Sequence, residues 1–403
     1  MTPILIAGAG IGGLSLALAL GRRGIPSILL EQAEHLEETG AGIQLSPNAT
    51  QILLALGLGG ALRPKIVTPQ AVRVMSAKGV ELVRVPLGAT SEQRYGAPYW
   101  LLHRADLQAA LVAAVAEIPT IILRLGERVE DYVVKENDVV LESRRGAVAV
   151  ETHGRALIGA DGLWSTIRSR IEPRAAPRFA RRSAWRALIP AESVAADFRL
   201  PLVHLWLGRD AHLVHYPVNA GAMINVVAIV HDRHEREGWS AEGAREELLA
   251  RFRAPDWHGS ARALVALPKQ WRKWSLYDRP PLRRTGDEPV TLLGDAAHPV
   301  LPFLAQGAAL AIEDAWVLAD ALSAAPEQPA HALRAYEASR YARARRVQRA
   351  ARSNGTIYHL AGFPAFARDH VMQLLGGHGM FKRYDWLYGY RAIPSKRDDT
   401  FRD

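Results

Sequence analysis

Between Pro3 and Glu31 the chain reads PILIAGAGIGGLSLALALGRRGIPSILLE, and few stretches restrict a fold as tightly. Ile4 to Ala7 is a short apolar run, and Gly8, Gly10 and Gly13 follow in G-x-G-x-x-G spacing. Leu14 to Leu20 then continues as a helix, and Ser27 to Leu30 ends at Glu31. The glycines do different work: the first permits a tight turn, the second lets backbone approach a pyrophosphate, and the third lets the helix pack closely on the strand. The helix N-terminus adds free amide N–H groups and a partial positive charge, both suited to that pyrophosphate. Glu31 is placed to accept hydrogen bonds from ribose hydroxyls. The pattern predicts a strand–turn–helix–strand unit with a dinucleotide site.

At 403 residues the chain is long enough for two domains, or for one large domain with an insertion. Ser46 and Pro47 open a helix as N-cap and first residue, and Gly40 and Gly42 mark backbone that comes close to something. Gln70 to Val85 alternates as two strands around Lys78-Gly79. Trp100 to His103 reads as a strand and Arg104 to Glu117 as a helix; strands follow near Thr120 to Leu123, Glu127 to Val134 and Asp138 to Glu142, with another ending at Ile158. From Ser183 to Tyr277 strand-like runs dominate, interrupted by one helix over Ala241 to Phe252. Val290 to Leu293 is again an apolar strand, and a long helix starts near Ala308. The fold expected is α/β: a discontinuous Rossmann-like domain over 1–69, 101–182 and 286–375, including C-terminal helices, with an inserted β-sheet substrate domain over 70–100 and 183–285. Residues 376–403 read as a tail without periodicity.

The chain has no cysteine, which excludes disulfides, thiolate metal sites and cysteine nucleophiles. No run approaches the roughly 18 apolar residues of a spanning helix, and the glycine-broken N-terminus does not read as a signal peptide. A cytoplasmic protein without a membrane partner is expected. The formal charge of +9 raises nucleic-acid binding, but the arginines concentrate in Arg168 to Arg186 and Arg334 to Arg352. The second cluster has helical periodicity, with Leu333, Tyr336 and Val347 on an inner face, so a solvated helix face is the reading preferred, with no nucleic-acid partner.

Three strand ends carry the same kind of feature: the first glycine turn, Asp161-Gly162, and Gly294-Asp295. Ligands gather outside the carboxyl ends of strands in open α/β sheets, and a dinucleotide is long enough to need all three turns. The blocks GAGIGG (Gly8 to Gly13), Glu31, GAGIQLSPNA (Gly40 to Ala49), HRADL (His103 to Leu107), GADGLWSTIR (Gly159 to Arg168) and GDAAHPVLPFLAQGAALAIEDA (Gly294 to Ala315) together resemble the class A, single-component flavoprotein monooxygenases. This is the para-hydroxybenzoate hydroxylase superfamily, and the similarity is greatest to its salicylate hydroxylase and 3-hydroxybenzoate 6-hydroxylase branch.

The resemblance implies non-covalent FAD, with Gly8, Gly10 and Gly13 under the pyrophosphate, Glu31 on the adenosine ribose, Arg104 near the phosphates, Asp295 on the ribityl chain, and Gln44 among the cofactor residues. Asp161 and Gly162 are associated in this family with both FAD and the nicotinamide cofactor; Asp161 reads equally as a helix cap. Pro302 to Gly307 precede a helix whose amides and dipole suit negative charge on reduced flavin. Ala305 stands where the family usually has glycine. No metal is implied. The implied reaction has NADH or NADPH reduce FAD, O2 give a flavin hydroperoxide, and one oxygen pass to a small phenolic or aromatic acid. The alternatives are a larger polyketide- or antibiotic-like substrate, or an oxidase or reductase without oxygen transfer.

For a base that deprotonates the phenol, HLVHYPV puts His212 and Tyr216 on one face of a strand and His215 on the other. His298 is a second candidate, with a hydrogen-bonding loop role as its alternative. Arg186 meets either a substrate carboxylate or a structural acid. A monomer or a homodimer is expected.

Overall fold

The computed structural model describes residues 2–36, 41–136, 138–173, 176–235, 241–280, 282, 286 and 288–393. Gly40 therefore lies outside the described residues. Five parallel strands form one sheet in the order Val290–Leu292, Ala156–Gly159, Ile4–Ala7, Ser27–Glu31, Ile121–Leu125. Its register sets Ala7 opposite Gly159, and Gly159 opposite Leu292. The three turns singled out in the sequence therefore leave neighbouring strands side by side.

The first helix, Ile11–Gly21, starts one turn earlier than its leucines suggest and takes Gly13 into its first turn. It is apolar all round because it is buried all round. Leu14, Leu16, Leu18 and Leu20 are fully buried, each stabilising the fold by roughly 1.5–3 kcal/mol. The helix packs between Gly307–Ala324 and Arg104–Ala116. This fixes the glycine turn to the later helix whose N-terminus borders the same cleft.

A mixed eight-stranded sheet stands apart from the parallel one, in the order Ala241–Gly243, Trp271–Asp278, Arg178–Pro190, Met223–His231, Ala211–Val218, Leu202–Gly208, Ala71–Ser76, Glu81–Pro86. The hairpin around Lys78 and Gly79 joins it through a parallel pairing of Ala71–Ser76 with Leu202–Gly208. Gly79 sits at φ +90°, which a glycine accepts without strain.

Four local expectations are corrected. Val148–Gly154 is a third strand beside Asp138–Arg145; its largely exposed side chains leave little apolar alternation to read. The helix expected over Ala241 to Phe252 divides: Ala241–Gly243 pairs with Trp271–Asp278, and only Arg245–Leu249 is helical. A Cβ on Gly243 would sit 2.2 Å from the Trp185 ring, so the chain must pass close to that ring. Residues beyond 375 are not a plain tail. The helix Gly362–Lys382 runs on through a kink at Gly376, which breaks the apolar spacing, and Asp385–Tyr388 adds a turn. Finally, the arginine-rich helix Pro329–Tyr358 is not simply a solvated face. Leu333, Tyr336 and Val347 are buried as expected, but Arg340 is buried with them, 2.6 Å from both Glu313 and Asp314.

Candidate active site

The glycine turn is shaped by close approaches. Gly8 has φ +102°, and a Cβ there would lie 2.5 Å from the Ala160 carbonyl oxygen; at Gly13 it would lie 2.0 Å from the Gly8 carbonyl oxygen. At Gly10 a Cβ would meet no protein atom within 4 Å. Gly10 borders an open cleft, so what it makes room for is not protein. Glu31 ends its strand with both carboxylate oxygens on backbone, accepting from the Ala9 N–H at 2.8 Å and the Ala33 N–H at 3.0 Å.

The cleft, about 350 Å³, runs from Gly10 past Arg104, Gly162 and Gly294-Asp295 to Pro302, Ala305 and Gly307, with Gln44, Arg186, His212 and Tyr216 on its walls. Asp161 caps the helix Thr166–Ile171, its Oδ2 accepting from the Thr166 and Ile167 N–H groups at 2.8 and 3.2 Å. Its Oδ1 is buried without a partner. Of the two roles read for Asp161, the helix cap is the one its side chain makes here, and Asp161 itself is not among the residues that line the cleft. Asp295 is exposed into the cleft but walled by protein, which raises its carboxyl above the usual carboxylate range, while His298 and Arg104 draw it back down.

At the far end, Gly307 opens the helix Gly307–Ala324, with free amides and the positive end of its dipole at the cleft. Ala305, before it, is held at φ +52°, a conformation that costs a residue with a Cβ about 1–2 kcal/mol. Behind the turn, Gln306 donates to Ser46 Oγ at 2.9 Å and accepts from Asn48 at 3.1 Å. Asn48 in turn donates to Glu313, which Arg340 and Arg343 neutralise at 2.6 Å. Ser46 therefore does not cap its helix with its side chain.

His212, Val214 and Tyr216 all face the cleft, as alternation along the strand requires, and His215 is turned to the other side of the sheet, against His204. Gly42 comes close to Tyr216: a Cβ there would lie 2.8 Å from its ring. His212 is fully enclosed, and its Nδ1 is 2.8 Å from His359 Nε2. Burial first, then His359 and Arg182, push its pKa well below the usual histidine value. Arg186 lines the cleft with its guanidinium 4.1 Å over the Trp274 ring. His298 does not join these groups. It turns from the cleft to Asp314, 2.6 Å away, whose other oxygen accepts from Arg340. Burial alone would lower the His298 pKa, but the Asp314 carboxylate raises it. This is a buried histidine–carboxylate pair turned away from the cleft, not a base at its wall.

Gln44 and His212 also border a second cavity of about 120 Å³ that opens off the cleft at Pro302 to Ala305. Its walls are Val, Leu and Met with Tyr99, Tyr358, Tyr384 and Tyr388. Tyr99 donates to Gln44 Oε1 at 2.9 Å. Sequence reading missed this wall: Tyr384 and Tyr388 lie in the stretch taken for a tail, and His359 at a helix end that no motif marks.

The family described as an FAD binding domain matches residues 1–351. The chain is 35% identical to 3-hydroxybenzoate 6-hydroxylase of Klebsiella oxytoca, covering 96% of each chain. It belongs to the FAD-dependent aromatic hydroxylases. It is also 38% identical to 3-amino-4-hydroxybenzoate 2-monooxygenase of Streptomyces cremeus, over 98% of this chain and 97% of that one. Among solved structures, HpxO of Klebsiella pneumoniae complexed with FAD and uric acid superposes with a TM-score of 0.83 at 24% identity over 96% of both chains. A salicylate hydroxylase substrate complex does so at 0.81 and 24%, over 98% of this chain and 99% of that one. At these identities the likeness is one of fold. Membership of the family makes FAD the cofactor, and the open face of Gly10, the Asp295 carboxylate in the cleft and the helix N-terminus at Gly307 suit its pyrophosphate, hydroxyl and anionic parts.

Proposed function

We propose that the enzyme hydroxylates a small phenolic acid, with the ring in the 120 Å³ cavity and its hydroxyl at His212. The observation that carries this is the size and lining of that cavity. A cavity of about 150 Å³ walled by apolar side chains holds one benzene ring, so the 120 Å³ here takes a single ring only with its substituents reaching into the adjoining cleft, and leaves no room for a fused polyketide. Its relatives named for hydroxybenzoates fit the same size class.

Bound FAD supplies the redox chemistry: reducing equivalents come from NADH or NADPH, one atom of O2 enters the ring, and the other leaves as water. The protein's part is to hold and enclose. Gly10, Arg104 and Asp295 border the course of the cofactor, and we assign the pyrophosphate to the first two and the ribityl hydroxyls to Asp295. Glu31 is assigned the adenosine ribose and Gly162 the adjoining backbone. Gly307 and the amides after it favour negative charge at the cleft's inner end. Pro302 to Ala305 separate cleft from cavity, and the apolar walls keep water from the reacting ring. Gln44 and His212, which line both spaces, hold the ring's polar edge, and Tyr216 and Arg186, on the wall of the adjoining cleft, attract the carboxylate.

The test is oxidation of NADH and of NADPH by the purified protein against a panel of hydroxybenzoates, with product mass and hydrogen peroxide measured. Stimulated oxidation that yields a product one oxygen heavier supports the reading. Peroxide alone with every acid refutes it.

A further inference from the structure

Three nitrogens follow one another behind the substrate cavity. Arg182 Nη2 donates to the Gly355 carbonyl at 3.1 Å, in the last turn of Pro329–Tyr358, where a cation is favoured. With the guanidinium anchored there, its Nε–H points at His359 Nδ1, 3.4 Å away. An arginine has only donors to give, so His359 Nδ1 must be the acceptor, and the proton of a neutral His359 ring sits on Nε2. That Nε2 is 2.8 Å from His212 Nδ1. His359 therefore donates, His212 Nδ1 accepts, and the ring proton of His212 is on Nε2. This is the nitrogen left for the cavity and cleft that the ring lines.

We infer that Arg182 and His359 fix the tautomer of His212, so that His212 meets the substrate's ring oxygen as a hydrogen-bond donor through Nε2. The tautomer stands on the geometry alone; the identity of the acceptor rests on the phenolic-acid reading above. The inference reverses the role read from the sequence. A general base needs a lone pair on Nε2, and this chain of bonds removes it. Burial, and then the Arg182 and Arg368 cations with His231, oppose a second proton on His359, and Arg182 and His359 oppose one on His212. Arg182 and His359 are positioning residues.

The test uses the FAD-loaded protein labelled with 15N in histidine. Nitrogen chemical shifts separate protonated from unprotonated ring positions, and His212→Gln identifies the His212 signals. The expected spectrum has His212 protonated on Nε2 and bare on Nδ1, with Nε2 moving when 3-hydroxybenzoate is added. His359→Gln, whose amide can donate to His212 and accept from Arg182, keeps that pattern and the Kd for 3-hydroxybenzoate. His359→Leu loses the pattern and raises Kd about tenfold, the scale of one hydrogen bond. A wild-type spectrum with the proton on Nδ1, or a His359→Leu variant that binds as tightly as wild type, overturns the inference. A correct tautomer whose Nε2 signal ignores every hydroxybenzoate overturns the substrate half alone.

Discussion

Gly10 and Gly13 look alike in sequence and differ in what surrounds them. A methyl at Gly13 collides with backbone, whereas at Gly10 it projects into an open cleft. Gly13→Ala is therefore expected to lower the melting temperature of the cofactor-free protein by several degrees. Gly10→Ala is expected to leave that temperature within a degree or two and to weaken FAD binding by tenfold or more, read by flavin fluorescence titration. Equal effects of the two substitutions would remove the distinction. Ala305 gives a prediction of the opposite sign. Relief of its left-handed strain, about 1–2 kcal/mol, exceeds the entropy that a glycine adds to the unfolded chain, about 0.4–1 kcal/mol. Ala305→Gly is expected to stabilise the fold by roughly 0.5–1 kcal/mol in urea unfolding, and a loss of stability would show that the methyl packs better than its backbone suffers. The glycine turns that border the cleft were legible because their spacing serves backbone geometry. His359 and Arg182 were not, since they act through a contact between a strand and a helix end that no local pattern encodes.

The eight-stranded sheet carries its own pH dependence. On the face away from the cleft, His204 and His215 stack with ring centroids 4.3 Å apart, and neither ring nitrogen of His204 has a partner among the described residues. Burial, then the Arg73 and Arg84 cations, lower the His204 pKa to about 4; burial and then Arg182 lower that of His359 to about 3. His212 and His215 are lowered well below the usual value in the same way. In the unfolded chain each takes a proton near pH 6.5, and in the fold each resists it, so the unfolded state gains protons first as pH falls. These four histidines are expected to lower stability between pH 6.5 and 4, by at most about 1.4 kcal/mol per pH unit each, while His298, whose pKa the fold raises, contributes stability that is lost as pH rises above about 6.5. Urea midpoints across that range measure it, and His204→Phe should flatten the slope. A midpoint that is constant down to pH 4.5 would contradict the buried neutral histidines. Alternation showed which way His212 and His215 point, because period two is a property of strands. It did not show Val148–Gly154 or the edge strand Ala241–Gly243, which pair through backbone while their side chains carry little apolar signal.

At the scale of the whole molecule, the site is a junction. The parallel sheet supplies the cofactor turns, the large sheet supplies His212 and Tyr216, and the C-terminal helices close the ring cavity with Met372, Met380, Tyr384 and Tyr388. Sequence motifs reach as far as Ala315, so they describe the cofactor half well and the lid of the cavity hardly at all. On the proposed placement of the ring, the walls that would choose the substrate are the ones the redox chemistry does not need. Met372 and Met380 are buried in one apolar cluster with Tyr95, Val85 and Phe381, and both line the cavity. Truncating either to alanine costs about 2–5 kcal/mol of stability, but it leaves the glycine turn, Asp295 and the Gly307 amides untouched. The enlarged cavity holds a small ring loosely and admits water. Met372→Ala is therefore expected to bind FAD and oxidise NADH or NADPH at near wild-type rate while the yield of hydroxylated phenolic acid per reductant consumed falls severalfold, the difference appearing as hydrogen peroxide. The same variant should gain turnover on hydroxybenzoates with one added alkyl group on the ring. Parallel loss of NADH oxidation and of product would instead tie this wall to the reductive half of the reaction, and unchanged yield would place the substrate elsewhere.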